Sequence, residues 1–461
     1  MPVDSYHHEY DYCVSKWKLV RDCMAGAKAI REAGELYLPN PNSTGSDSIN
    51  RYKTYVQRAI FTNVIKPTND SMVGMAFRKA PRADIPAQTD YIIDNATGDG
   101  VTLEQLAKNT VSNLLQTGRY GLLTDYPSVD EGLSDSAVRG LELQATISTY
   151  IAESIINWKT HSVGGKEVLT MVVLTENYQE AIDEFESEVS VQYRVLSLQD
   201  GLYVITVYRD NKIVSIAEPR DSSGSRLKFI PFIMAGAYSN DPAVDDAALY
   251  DMAEINIGHY RNSADKEEGL FLHGQPMLHL DIGDTNSNEW KELNPNGVEV
   301  GARRGLITSG GGSATLLQTM ANDAVSVEMR EKLKEMVAIG ARLVDQGGQA
   351  ETATAAMIRH SSTNSVLTNV VQNASSAIET ALNWVGLFMG ATAEAEYEIN
   401  DDFYDKSLDA TQVMAAIQLY DRGVIAKQDL QENARNTGMI DPTRTNEDID
   451  ADSEDTSPID E

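Results

Sequence analysis

The chain has 461 residues, 42% hydrophobic and 23% charged, with 69 acidic residues against 38 basic ones and a formal net charge of −31. At roughly 100 to 200 residues per domain it can form two to four globular units, each with its own core. Two cysteines, Cys13 and Cys23, exclude a disulfide framework and a four-cysteine zinc site. No apolar run is long enough to span a membrane, and the opening MPVDSYHHEYDYCVSKWK reads as neither a secretory signal nor an anchor. The acidity argues against a protein that grips nucleic acid by neutralising phosphates.

The charge is unevenly placed. Residues 1–82 carry 12 Lys/Arg and 8 Asp/Glu, a balance of +4, whereas residues 441–461 carry 9 acids and only Arg444. Taken in chain order, Tyr10 to Gly34 reads as one helix, with Trp17, Val20, Met24 and Ala27 near helical spacing. PNPNSTGSDS, from Pro39, breaks it. A second helix begins near Ser48 and is expected to end or kink at Pro67. A third spans Leu103 to Thr117, with Gly118 as its cap. GRYGLLTDYP, Gly118 to Pro127, is a short apolar run between turns and reads as a buried strand.

The middle is β-rich. Segments 169–175, 189–198, 202–208 and 212–217 hold Val, Thr, Tyr and Ile, and the turns at Asp200-Gly201 and Asp210-Asn211 fit an antiparallel meander in one small sheet. Residues 243–270 then read as a long helix ending near Gly269 or Gly274, and 275–316 as a compact insert with short strands. A clean amphipathic helix follows over 321–344. Met329, Leu333, Met336, Val337, Gly340, Leu343 and Val344 make one face, while the other carries Glu328, Arg330, Glu331, Lys332, Lys334 and Glu335. DQGGQAE, Asp345 to Glu351, separates it from a long helix over 352–389. Shorter helices are expected at 409–421 and 427–436, and the acidic segment from Asn446 is expected to lack fixed structure.

Motifs for chemistry are scarce. Gly164-Gly165-Lys166 is followed by Glu167, so no phosphate-binding loop is present. Gly310-Gly311-Gly312 lacks the strand–loop–helix context of a dinucleotide site. Seven histidines form no H-E-x-x-H pair; His273 and His279 flank Pro276 and would be the nearest thing to a shared metal site. Asp448, Asp450 and Asp452 imitate a calcium loop, but Ser453 and Ile459 occupy the positions that need Gly and Glu. No G-x-S-x-G elbow occurs. The expectation is a protein without catalysis, cofactor or metal.

Several strings resemble tailed-bacteriophage portal proteins, in particular a subgroup often described only as a domain of unknown function. They are WKLVRDCMAGAKAIREAGELYLP from Trp17, RYKTYVQRAIFTNVIKPT from Arg51, SMVGMAFRK from Ser71, GRYGLLTDYP from Gly118, YIAESIINWKT from Tyr150 and LTMVVLTEN from Leu169. The resemblance implies an α+β portal-type fold: a helical wing and crown, a small antiparallel sheet, two long stem helices and a small α/β clip. It assigns 1–240 to the N-terminal wing, 241–274 to the first stem helix, 275–316 to the clip and 317–344 to the second stem helix. The channel loop would be 345–351, the long wing helix 352–390, the crown 391–445 and the acidic tail 446–461.

By the same resemblance the function is a homododecameric ring at a capsid vertex of the virion, assembled in the host bacterial cytoplasm. It would pass double-stranded DNA without sequence specificity during packaging and ejection. Its partners would be the terminase large subunit, a tail adaptor and the major capsid protein, with no membrane. Channel-loop residues would be Asp345, Gln346, Gly347, Gly348, Gln349 and Glu351. Stem-lining candidates are Glu328, Glu331, Lys332, Lys334 and Glu335; clip-interface candidates are Glu289, Trp290, Lys291, Arg303 and Arg304. A different head-tail connector or minor capsid protein is the alternative, and a hydrolase using clustered carboxylates is a third class.

Overall fold

The computed structural model describes residues 2–41, 48–127, 143–181, 187–274, 277–281, 286–293, 313–317, 323–344 and 365–401, with isolated residues elsewhere. It divides into a unit of residues 1–401 and a second of residues 402–461. The first mixes helices with antiparallel sheets, the α+β class expected from the pattern.

Helix α1 (His8–Ala25) and helix α2 (Ala27–Glu32) replace the single helix expected from Tyr10 to Gly34. The break is Gly26, whose φ of +89° only glycine adopts without strain, and which donates its N–H back to Asp22. Helix α3 (Ser48–Arg58) stops well before Pro67, and Pro67 lies in the first turn of helix α4 (Ile65–Ala76), where its missing N–H costs nothing. Residues 59–64 are held extended by polar side chains on helix α6 (Tyr250–His273). Ser263 Oγ accepts from Ile60 N and donates to Ile60 O, and Asn256 Nδ2 donates to Thr62 O at 2.9 Å.

Helix α5 (Leu103–Thr117) forms as expected. Thr102 caps its start, and Gly118 closes it in the left-handed conformation at φ +69°. Strand β1 is Arg82–Asp84. Strand β2 (Arg119–Asp125), the predicted buried strand, lies between β3 (Thr146–Ile151) and β9 (Phe232–Gly236) in a three-stranded sheet. The meander is a separate five-stranded sheet: β4 (Ile155–Val163), β5 (Lys166–Ala181), β6 (Ser187–Gln199), β7 (Leu202–Arg209) and β8 (Lys212–Ala217) in sequential order. The meander is thus one antiparallel sheet, as expected, and the strand at 119–125 belongs to a different one. Positive φ at Asp200, Gly201, Asp210 and Asn211 makes the tight hairpin turns the sequence indicated.

The two sheets meet through side chains. Glu176 on β5 accepts from Arg194 on β6 at 2.6 Å, from the Tyr150 hydroxyl on β3 at 2.6 Å and from Gln192 at 2.8 Å. Arg194 also reaches Asp125 on β2 at 3.5 Å. Burial alone would raise the Glu176 pKa, but these donors, Arg194 foremost, hold it below the usual carboxylate value.

Helix α6 begins at Tyr250, not at 243, because the preceding loop is pinned elsewhere. The Asp245 carboxylate accepts from Tyr238 N and Ser239 N, and the buried Arg119 guanidinium donates to the carbonyls of Pro242 and Ala243. Strand β10 (Met277–Asp281), helix α7 (Ser287–Leu293) and strand β11 (Ser313–Leu317) follow, then helix α8 (Asp323–Val344) and helix α9 (Val366–Met389). Helix α9 buries Leu367, Val370, Val371, Ala374, Ile378, Ala381, Leu382 and Val385 against α5, β2 and β9, so it is the central helix of the core. Residues 352–364 of the helix expected over 352–389 lie outside the described residues. Strand β12 (Glu396–Glu398) pairs with β1.

In the second unit, helical backbone bonds run from Arg422 N to Gln418 O, from Leu430 N to Ala426 O and from Ile449 N to Thr445 O. Most of the helices expected at 409–421 and 427–436, and of the acidic segment from Asn446, lies outside the described residues.

Candidate functional site: a helix pair carrying an insert

Helices α6 and α8 pack antiparallel. Near one end Met252 meets Gly340, midway Lys332 lies over Gly258, and towards the other end Lys266 shares a groove with Asp323 and Ser326. Helix α6 buries side chains only as far as Ala264, and its last turn exposes Leu270, Phe271 and Leu272. The pair therefore runs beyond the core. Helix α3 braces it: Tyr55 donates to Asp265 at 2.6 Å, and Arg58 pairs with Glu268 and stacks 3.5 Å from the Phe271 ring centre. At the far end the chain passes into the insert, where β10 and β11 pair antiparallel from Met277↔Leu317 to Asp281↔Ser313, with α7 between them in sequence. Asn286 opens α7 by accepting from Asn288 N at 3.0 Å.

Helix α8 presents three faces, separable at about 100° per residue. Met336 and Leu343 are buried, and Lys332 on that side lies against α6, pairing with Glu328 at 3.3 Å and reaching the Asn262 side chain. Glu328, Glu331 and Glu335 are exposed to one side. Lys334 is exposed and bridges Glu331 at 2.8 Å, and that bond holds the Glu331 pKa down. To the other side Leu333 and Val337 stay 39% and 62% exposed. The apolar face expected from spacing thus exists, but α6 covers only part of it.

On the Leu333 side a groove of about 720 Å³ opens between the two helices, lined by His259, Lys266, Ser326, Val327, Met329 and Arg330 among others. His259 is buried, and its Nδ1 has no partner among the described residues. Burial, then Lys332 and Lys266, push its pKa below the ordinary histidine value. Periodicity gave no hint of this histidine, because its setting depends on a helix more than sixty residues away in sequence.

Among the other candidates, Glu289 and Lys291 are exposed on α7 and Trp290 is half-buried. Asp345, Gln346, Gly347, Gly348, Gln349, Glu351, Arg303 and Arg304 lie outside the described residues. His273 ends α6 and His279 lies on β10. Among the described residues, His7, His8 and Glu9 form a grouping of potential metal ligands, with ligand atoms within 4.8 Å. It is already engaged: His7 Nδ1 accepts from Glu9 N, and Glu9 Oε2 accepts from Val244 N. A second cleft, of about 480 Å³, holds the carboxylates Asp99 and Glu176. Both accept hydrogen bonds within the protein, Asp99 from Thr97 and Glu176 from the Arg194 cluster. Neither is placed as a free general base.

Residues 248–389 match the family described as a domain of unknown function, DUF4055. That span holds the helix pair, the insert and α9. No curated protein matches the chain. Among solved structures, a chain of the virion of a native gene transfer agent particle is 13% identical, with 86% of this chain and 94% of that chain covered and a TM-score of 0.40. A chain from the neck of an empty particle of the same kind, computed with C6 symmetry, is 12% identical over 82% and 90%, with a TM-score of 0.41. A third, from a native neck computed with C12 symmetry, is 15% identical over 88% and 98%, with a TM-score of 0.37.

Proposed function

We propose that the chain is the subunit of a portal-type ring in a tailed-phage-like particle, a non-enzymatic conduit for double-stranded DNA. The observation that carries this reading is the geometry of α6 and α8. Two long antiparallel helices run out of the core, bear a small β–α–β insert at their far end, and leave an apolar strip and a groove uncovered on one side. A lone monomer gains nothing from keeping Leu333 and Val337 wet, whereas a neighbouring copy on that side would bury them. In this reading the strip meets a different patch of the next copy, the head-to-tail arrangement that can close a ring.

Repetition around the ring would turn Glu328, Glu331 and Glu335 towards a wet surface. A passage for a polyanion must not hold it, and carboxylates avoid the counterion release that makes Lys/Arg contacts adhesive. In this reading the insert, with Glu289, Trp290 and Lys291, is the docking end for a packaging motor and tail adaptor, and residues 345–351 form the channel loop. The test is a projection image and native mass of the purified full chain. A closed ring of about twelve copies with a central hole wide enough for duplex DNA is the expected result. A monomer, a two-fold dimer or a ring without a hole refutes the reading.

A further inference from the structure

Strand β5 pairs with β4 only up to Leu174, and β7 pairs with β6 only from Tyr193 onward, yet β5 and β6 stay paired from Met171↔Ser197 out to Ala181↔Ser187. The outer half of this hairpin is therefore a two-stranded arm projecting beyond the sheet. Such ribbons are marginal when they stand alone. This one also carries features that a free ribbon would not favour. Glu180 stands directly opposite Glu188, a like-charge cross-strand pair, and both are exposed. Val189 and Val191, on the other face, are 60% and 50% exposed, and Phe185 is 93% exposed. From Asn177 to Gln192 the sequence holds five acids, Glu180, Asp183, Glu184, Glu186 and Glu188, and no base.

The opposite chemistry lies on α3. Ile49 is 68% exposed, and Arg51 and Lys53 are exposed and enter no ion pair among the described residues. This is part of the N-terminal stretch whose balance is +4 in a chain of −31. Its other cations are largely engaged at home: Lys16 with Asp246, Lys18 with Asp22, Arg21 with Glu153 and Arg58 with Glu268.

We infer that the acidic β5–β6 arm of one copy docks, through its Glu180–Glu188 face, on the basic α3 surface of a second copy. The inference rests on the assembly proposed above and names a contact distinct from the helix-pair groove. Arm and helix are different patches of one chain, so the contact is head-to-tail and compatible with ring closure. Opposite charge draws the two surfaces together: Glu180 and Glu188, on one face of the arm, meet Arg51 and Lys53 of α3.

The test is a charge swap in the full chain, read as self-association by sedimentation. Glu180→Lys with Glu188→Lys, and separately Arg51→Glu with Lys53→Glu, should each weaken association about tenfold at low salt, and all four changes together should restore it. All four positions are exposed, and unchanged thermal melting of each variant confirms intact folding. As a second readout, Ser190→Cys, on the glutamate face of the arm, and Asn50→Cys, on α3 beside Arg51, should cross-link to each other and not to themselves when mixed and oxidised. A wild-type ring whose assembly ignores both reversals, or a quadruple variant that stays weak, overturns the docking and leaves the portal reading standing. A small open oligomer that obeys the charge swap supports the docking and removes the portal reading. A wild-type chain that is monomeric at every concentration overturns both.

Discussion

Replacing Leu333 and Val337 together with Glu tests whether this side of α8 is a ring contact or an ordinary helix surface. Fully burying a Leu or Val side chain is worth roughly 1.5 to 3 kcal/mol. With 39% and 62% of these side chains still exposed in the single chain, a neighbour covering both would gain about 2 kcal/mol per contact. Losing that gain alone weakens each contact about thirtyfold. Two carboxylates placed in the same contact add a desolvation cost, so ring closure should fail altogether. The single chain should hardly notice, because both positions already face water; its melting temperature should move by less than about 2 °C. Light scattering after size exclusion gives the assembly state, and calorimetry gives the melting temperature. Rings formed by the double variant in normal yield would refute the reasoning, and a melting drop beyond about 5 °C would show these residues to be core.

Three other perturbations test the structure itself. Gly118→Ala should destabilise by about 3 kcal/mol or more in denaturant unfolding, because its φ is +69° and a Cβ there would lie 2.4 Å from the Asp245 carbonyl oxygen. Glu176→Gln should cost about 2 kcal/mol, since it leaves half-buried Arg194 without its main counter-charge. Its wild-type contribution is present above the unfolded carboxylate pKa and fades as pH falls through the lowered folded value, so the variant should flatten the acid limb of a stability–pH curve. His259 is held neutral, so its contribution is complete above the unfolded pKa of about 6.5 and is lost as pH falls towards the lower folded value. His259→Gln should reduce the loss of stability as pH falls below about 6.5, and an unchanged slope would remove the histidine from that role.

Elements closed by local chemistry were legible in advance. Helix α5 lies between Thr102 and Gly118, and the hairpins turn at Asp200-Gly201 and Asp210-Asn211, because each signal acts within a few residues. The errors came from distant partners. Residues 59–64 would have continued α3, but Ser263 and Asn256 on α6 hold that backbone extended. The segment before Tyr250 has helical composition, yet Arg119 and the Asp245 turn capture it. Strand β9 joins β2 across more than a hundred residues, a pairing that no window of the sequence encodes. The candidate site behaves likewise. The apolar stripe of α8 is plain in the sequence, but which part of it α6 covers, and hence that Leu333 and Val337 stay uncovered, follows only from the pairing of Met252 with Gly340.

The net charge reads differently once the ion pairs are placed. Many cations in the first unit are turned inward: Arg21 on Glu153, Arg58 on Glu268, Arg194 on Glu176 and Asp125, Lys332 on Glu328 and α6, and Arg119 wholly buried on backbone carbonyls. A polyanion meets exposed groups, not composition. The surface offered to it is therefore more acidic than 69 against 38 suggests, with Glu331 and Glu335 exposed on α8 and the β5–β6 arm bare of bases. These Lys and Arg side chains fasten one element to another. On the proposed reading, cations fastened inside the fold are not offered to phosphates, which favours passage over capture.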